Sequence, residues 1–356
     1  MIHVFIGTKA QLIKMAPIMR ELQLRGVEYN FIFSGQHQNT IKELRGNFGI
    51  KDPDFMLHKG KDVTSIFYMG WWLVKIILVS LVNKKKLSRG HKGGVVLNHG
   101  DTFSTLAGSI LARLAGQKNA HVESGLRSFN FMNPFPEEIT RVAVFLLSNI
   151  YFCPNKWAEN NLTSYRGEKI NTNGNTLYDA LTYIQGLHVS RSVDIPDVKY
   201  CVVSFHRFEN IFQEGQLDLI LSVIGKISAS IRVLVIMHKP TLVKLKDFGR
   251  LDELEKNKNI ELRPRYDYLD FIALVSSSEF VVTDGGSNQE ECFYLGKPCL
   301  LLRRATERTE GLGLNVVLSK FEPHLIADFV QNYEKFKTAP VVLNPSPTKI
   351  IVDSVI

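Results

Sequence analysis

The residues best suited to chemistry in this chain lie in three short stretches: His99-Gly-Asp-Thr102, His121-Val-Glu-Ser-Gly-Leu-Arg-Ser128 and Pro136-Glu-Glu-Ile-Thr-Arg141. They place the acids Asp101, Glu123 and Glu137 with the cations Arg127 and Arg141, each where a strand-like apolar run gives way to a loop or helix start. Carboxyl groups that converge repel one another, and the repulsion makes at least one of them a proton donor or acceptor near neutral pH. The two arginines can instead neutralise the acids in a structural ion network. Metal binding has less to support it. His99-x-Asp101 and His121-x-Glu123 put their side chains on one face of a strand, but no HExxH or facial-triad spacing accompanies them, so no metal is expected.

Three further segments have the character of anion-binding turns. Gly7-Thr-Lys-Ala-Gln-Leu-Ile-Lys14 follows the first strand-like run and opens a helix. A glycine lets the backbone approach a ligand, the helix N-terminus favours negative charge, and Lys9 and Lys14 add to it. It is neither a Walker A nor a GxGxxG pattern, and a plain turn with two surface lysines reads the same. Asp284-Gly-Gly-Ser-Asn-Gln-Glu-Glu291 occupies the same position in the second half, where Gly285, Gly286 and Ser287 suit a diphosphate and a carboxylate several residues on can accept from ribose hydroxyls, although a plain tight turn with an acid-rich helix start reads the same. Ser204-Phe-His-Arg-Phe-Glu-Asn210 also follows a strand and offers His206 and Arg207 to a phosphate or base edge, although a lone histidine is often structural.

Elements must position these residues. Strand-like runs at 2–6, 29–33, 95–98, 120–122 and 150–153 alternate with helical-period segments such as 12–25 and 105–114. That alternation argues for a parallel sheet covered on both faces. A second series at 200–204, 232–237, 259–262, 280–283 and 299–302 repeats the architecture without repeating the sequence. The expected fold is α/β, two doubly wound Rossmann-like domains facing each other across a cleft. The domains are expected at 1–172 and 173–345, with a helix at 346–356 packing back toward the first. The polar, aperiodic stretch 188–197 reads as a linker or surface loop. In such sheets ligands bind beyond the carboxyl ends of the strands, where the polar motifs fall.

At 356 residues the chain is long enough for two proper cores, and 45% hydrophobic with 22% charged residues excludes a disordered or low-complexity protein. The balance of 43 basic to 35 acidic residues, +8, admits anionic partners; phosphorylated metabolites are expected and nucleic acid is not. The four cysteines form no CxxC pair and read as buried reduced thiols, and the chain opens directly on a strand with no secretory signal. A cytoplasmic location is the expectation. Residues 68–82 are apolar but interrupted by Lys75, and Lys84, Lys85, Lys86, Arg89, His91 and Lys92 follow. Fifteen residues are short of the roughly 20 that span a bilayer, so the reading is a buried helix with a basic loop, or a peripheral membrane contact through 68–92.

Taken in order, GTKAQLIKMAP, SGQH at 34–37, HGDT, HVESGLRS, PFPEEITR, GNTLYDAL at 174–181, FHRFEN, YDYLDF at 266–271, DGGSNQEE, LGKP and ATERTEG at 305–311 resemble the UDP-N-acetylglucosamine 2-epimerase family across nearly the whole chain. The resemblance implies a glycosyltransferase-B type fold and a homodimer. It implies epimerisation at C2 of a UDP-linked 2-acetamido sugar through UDP elimination and a 2-acetamidoglucal, without metal or nicotinamide cofactor. It places Asp101, Glu123, Glu137, Lys14, Arg141 and His206 at the catalytic centre. Gly285, Gly286, Ser287, Glu291 and Arg308 match the nucleotide-sugar site, which Lys9, Arg127 and Arg207 are expected to join.

Two departures bear on the phosphate contacts. The family's GTRPE is Gly7-Thr-Lys-Ala-Gln11 here, exchanging a planar guanidinium for the point charge of Lys9, and its DSGG is Asp284-Gly-Gly-Ser287. Residues 56–67 also lack the glutamine-rich pattern of members that a second substrate molecule activates. The alternatives are a hydrolysing 2-epimerase, an epimerase of a related UDP-diacetamido sugar, and a glycosyltransferase with a membrane-associated acceptor. The three acids tell against the last.

Overall fold

The computed structural model describes residues 1–36, 41–58, 60, 66–83, 90, 93–131, 135–187 and 192–356. The chain divides into two compact units, Met1–Gln185 with Leu343–Ile356, and Gly186–Val342. The chain therefore leaves the first unit at Gln185, beyond the expected 172. Helix Leu177–Gln185 stays behind because it packs on helix Lys9–Leu24 and on the C-terminal helix Pro347–Val355. Asp179 accepts from the Thr348 N–H at 3.0 Å, and the Tyr178 hydroxyl accepts from the Leu343 N–H at 3.2 Å, tying the returning chain to this helix. Of the linker expected at 188–197, residues 188–191 lie outside the described residues.

The first unit is built on seven strands: β1 (Ile2–Ile6), β2 (Tyr29–Phe33), β3 (Phe55–Met56), β4 (Val95–His99), β5 (Lys118–Val122), β6 (Ile150–Cys153) and β7 (Glu168–Asn171). They run in the order β3-β2-β1-β4-β5-β6-β7, all parallel. The order reverses between β1 and β4. The connections that leave β1 and β4 therefore run to opposite sides, and the crevice opens where Gly7 and Gly100 leave the sheet. β1 and β2 are buried throughout, as helices on both faces require, and their one polar residue each, His3 and Asn30, bond each other at 3.1 Å.

The second unit carries β8 (Tyr200–Ser204), β9 (Arg232–Ile236), β10 (Ile260–Arg263), β11 (Val281–Thr283), β12 (Cys299–Leu301) and β13 (Val316–Leu318). The order is β10-β9-β8-β11-β12-β13, again all parallel, with the reversal between β8 and β11. Ser204 is in register with Thr283, so the turns that follow, at His206 and Asp284, emerge side by side.

Residues 68–82 lie in helix Ile66–Val82, which is not buried all round. Trp72 and Ile76 pack into the core with Phe5, Ile32, Val96 and Leu111, while Tyr68 (67% exposed), Trp71 (70%), Leu78 and Val82 face outward. Among the described residues no helix is long and apolar enough to cross a membrane. The basic residues expected to follow, Lys84 to Lys86, Arg89, His91 and Lys92, lie outside the described residues.

Candidate active site

At the switch point of the first unit the turn after β1 is held from within. Thr8 caps helix Lys9–Leu24 and Gln11 completes a capping box. Gln11 is buried: its amide oxygen accepts from the N–H groups of Gly7 and Thr8 at 2.9 and 3.1 Å, and its amide nitrogen donates to the His99 carbonyl and Thr105 Oγ1 at 2.8 and 2.9 Å. One side chain thus fixes the β1 turn to the β4 turn. Lys9 begins the helix and is half-buried; Lys14, one turn and a half on, is buried and points back across the strand ends.

Lys14 Nζ meets Glu123 Oε2, and Asn175 Nδ2 donates to the same oxygen. His99 Nε2 stands 3.8 Å from it. Glu123 directly follows β5 with φ +61°, a left-handed conformation that an L-residue adopts at a cost of the order of 1 kcal/mol. Gly125 (φ +87°) sharpens the same turn, and a Cβ there would meet the Ala158 carbonyl at 2.1 Å. Beside Glu123, His121 is buried and bonded through Nε2 to the Gly100 carbonyl (2.7 Å) and through Nδ1 to Ser124 Oγ (2.9 Å). Because a carbonyl only accepts, the proton sits on Nε2 and the serine hydroxyl donates to Nδ1. Burial, assisted by the Arg141 charge, lowers its pKa to about 4 against the pull of the Gly100 carbonyl, Asp101 and Glu123, so the ring is neutral near pH 7.

Asp101 is held by Arg141 Nη2 at 2.6 Å. Arg141 reaches a second carboxylate, Glu138 Oε2, through Nη1 at 3.1 Å. Glu138 is fully buried and also accepts from Arg127 Nε (2.5 Å), Ser128 N (3.0 Å) and Phe129 N (3.2 Å). Burial works against its charge, but the Ser128 N–H, Arg127 and Arg141 outweigh it and hold the carboxyl below the ordinary glutamate range. Glu137, at the first position of helix Glu137–Leu147, is half-buried.

These contacts correct the expectation of mutually repelling acids. Asp101 and Glu123 each have their own cation, and Arg127 is committed to Glu138. Glu138 itself was not singled out from the sequence, because in Glu137-Glu138 nothing but the helix phase tells the buried carboxylate from its neighbour.

In the second unit Asp284, fully buried, accepts from the N–H groups of His206 (3.0 Å) and Arg207 (2.9 Å) and from Asn210 Nδ2 (2.9 Å). It thereby pins the β8 turn to the β11 turn. His206, its side chain 43% exposed, stacks on His238 with ring centres 4.4 Å apart and lies 3.5 Å from Asp284 Oδ1. Desolvation keeps its pKa below the ordinary value, against the pull of Asp284 and with Arg207 and Arg265 adding to it. Arg207 pairs with Glu209 at 2.7 Å.

Gly285 caps helix Gly286–Leu295, and Ser287 is half-buried in its first turn. A Cβ on Gly286 would lie 2.8 Å from Arg308 Nε, so glycine there lets the guanidinium lie against the helix start. Arg308 pairs with Glu290, fully buried and not anticipated from the sequence. Glu291 is also buried, bonded to Asn288 Nδ2 at 2.7 Å, and with Glu290 it faces Tyr268. Burial first, then these carboxylates, push the Tyr268 phenol well above its ordinary pKa. The missed residues Asp284, Asn175, Glu138 and Glu290 share a signature: polar side chains inside otherwise recognisable motifs, facing inward.

Two doubly wound sheets, each with a polar cluster at its switch point, define a two-unit α/β protein of the glycosyltransferase-B type. Solved structures share the fold. The UDP-GlcNAc 2-epimerase of Neisseria meningitidis bound to UDP-GlcNAc aligns with a TM-score of 0.83 at 29% identity, covering 99% of this chain and 98% of that one. The enzyme of Methanocaldococcus jannaschii in complex with UDP-GlcNAc and UDP aligns at 0.78 and 27%, covering 98% of each. The UDP-N-acetylglucosamine 2-epimerase of Methanococcus maripaludis is 33% identical over 354 residues, 94% of this chain and 92% of the relative. The chain belongs to the UDP-N-acetylglucosamine 2-epimerase family, whose profile matches residues 20–340.

Proposed function

We propose that the protein interconverts UDP-N-acetylglucosamine and UDP-N-acetylmannosamine, supplying a precursor for surface polysaccharide. The observation that carries the reading is the pair of carboxylates with separate cations, Asp101 with Arg141 and Glu123 with Lys14, at adjacent strand ends in a chain of this family. A carboxylate removes the C2 proton, the C1–O bond breaks with its electron pair leaving on UDP, and a C1=C2 glycal forms. A proton then returns to C2 on the opposite face, and the UDP oxygen rejoins C1. Asp101, Glu123 and Glu137 are the groups for the two proton transfers. Arg141 and Lys14 keep charge balanced as the proton moves. On the nucleotide side, the Gly285-Gly286-Ser287 helix start suits the diphosphate and Glu291 the ribose, with His206, Arg207 and Arg308 as further contacts. A homodimer belongs to the same reading and is measured by light scattering.

Incubation with UDP-N-acetylglucosamine in deuterated water, followed by NMR, tests it. Deuterium at C2 of a still UDP-linked sugar is expected. Free N-acetylmannosamine with UDP would mean a hydrolysing enzyme, and absence of C2 exchange would overturn the reading for this substrate. Asp101→Asn and Glu137→Gln are each expected to abolish exchange while leaving UDP affinity within about threefold, a change under 1 kcal/mol. Full activity in either removes that residue from the proton-transfer set.

A further inference from the structure

Asn175 lies in the Gly174-Asn175-Thr176 turn that follows β7, is 3% exposed, and uses its two ends differently. Its amide oxygen accepts from the Leu177 N–H at 3.1 Å, which caps the start of helix Leu177–Gln185. Its amide nitrogen leaves the turn and donates to Glu123 Oε2, on a different strand end and 52 positions earlier. Capping does not need that second bond. Aspartate or serine would cap the helix as well, and neither brings an N–H to a carboxylate. Glu123 in turn sits at φ +61°, so its backbone conformation persists only where surrounding contacts over-determine it.

The groups that face Glu123 come from four elements. Lys14 reaches it from helix Lys9–Leu24, and His99 lies 3.8 Å away at the end of β4. The β4 turn brings Asp101, paired with Arg141, and approaches closely enough that a Cβ on Gly100 would lie 3.9 Å from Glu123 Oε1. His121, neutral, stands on β5. Lys14 and Asn175 both bond the carboxylate as donors, one with a full charge and one without.

We propose that Asn175 is a positioning residue of the reaction: its amide N–H, with the Lys14 ammonium, fixes Glu123 as an aimed, ionised carboxylate. The inference rests on the epimerase reading and names the device that supports one of its three acids. An uncharged donor is required at this place. A second carboxylate would share the proton with Glu123, and a second cation would weaken Lys14.

Asn175→Asp tests this with the shape and the cap retained, so the fold is kept while a like charge is set against Glu123. C2 exchange of UDP-N-acetylglucosamine in deuterated water is followed from pH 5 to 9 for wild type and variant, with UDP affinity measured alongside. In Asn175→Asp the acidic limb of the rate profile is expected to move up by about one pH unit, so that the rate on that limb falls by up to about tenfold at a given pH while the plateau above it is kept. UDP affinity is expected within about threefold of wild type. Asn175→Ser, which caps without reaching Glu123, is expected to lower kcat about tenfold or more at little change in KM. An unmoved limb in Asn175→Asp, or a loss in Asn175→Ser carried by KM, overturns the inference while an active wild type upholds the epimerase reading. Absence of exchange in the wild type overturns both.

Discussion

Glu138 and Arg141 stand three residues apart on one helix, and their bond decides what Arg141 has left to offer Asp101. Glu138 gathers two arginines and two backbone N–H groups on a carboxylate with no exposure to water. Removing one partner of such a group costs more than the bond is worth, because the others are left facing an uncharged or mismatched atom. Glu138→Gln is expected to lower unfolding free energy at pH 7 by about 2 to 4 kcal/mol. The pH dependence has a definite sign. A carboxyl held below its unfolded value of about 4.5 contributes stability that is complete above that pH and is lost as pH falls through the folded value. The gap between wild type and Glu138→Gln in urea unfolding should therefore narrow from pH 7 to pH 4, and a constant gap would contradict the ionised hub. The sequence displayed the acids and arginines but not their pairing, since Glu137 and Glu138 are equivalent until the helix phase is known. That the arginines neutralise acids was legible as an alternative; which arginine meets which acid was not.

The strands were legible because parallel strands buried on both faces are short, largely apolar runs, and β1, β2 and β8 are of that kind with one polar residue each. Sheet order was not, because register is written in contacts between distant segments. One glycine shows what that order imposes. At Gly7 the ends of β1 and β2 and the start of helix Phe103–Leu114 converge so closely that a Cβ would lie 2.0 Å from both Ser34 Oγ and Ser104 Oγ. Those hydroxyls bond each other at 2.9 Å, and Ser104 donates to Gln36 Oε1 at 2.7 Å, all buried. Gly7→Ala must displace a serine and break this chain. It is expected to destabilise the first unit by about 2 kcal/mol or more, seen as a lower urea midpoint. A variant as stable as wild type would mean the strand ends are more loosely set than described. The same crowding explains why Gln11, with four buried bonds, is read poorly from sequence. Its role is to join two turns, and neither turn alone asks for it.

At the scale of the whole chain, the two units carry different parts of the proposed reaction, and a ligand can report on one of them by itself. The basic excess of the chain suits a dianionic nucleotide. The nucleotide-side residues His206, Gly285, Gly286 and Glu291 belong to the unit Gly186–Val342, while Asp101, Glu123 and Glu137 belong to the other. A ligand that binds only the folded state stabilises it by RT ln(1 + [L]/Kd), about 2.7 kcal/mol at a hundredfold excess over Kd. For a unit of this size that is a rise of several degrees in Tm. UDP alone is therefore expected to raise the melting temperature of the transition that reports Gly186–Val342. The rise should persist in Asp101→Asn and Glu137→Gln and shrink in His206→Ala and Glu291→Gln. Differential scanning calorimetry with and without UDP reads this directly. If Asp101→Asn loses the shift while His206→Ala keeps it, UDP is held by the first unit, and the division of labour between the two polar clusters must be reversed.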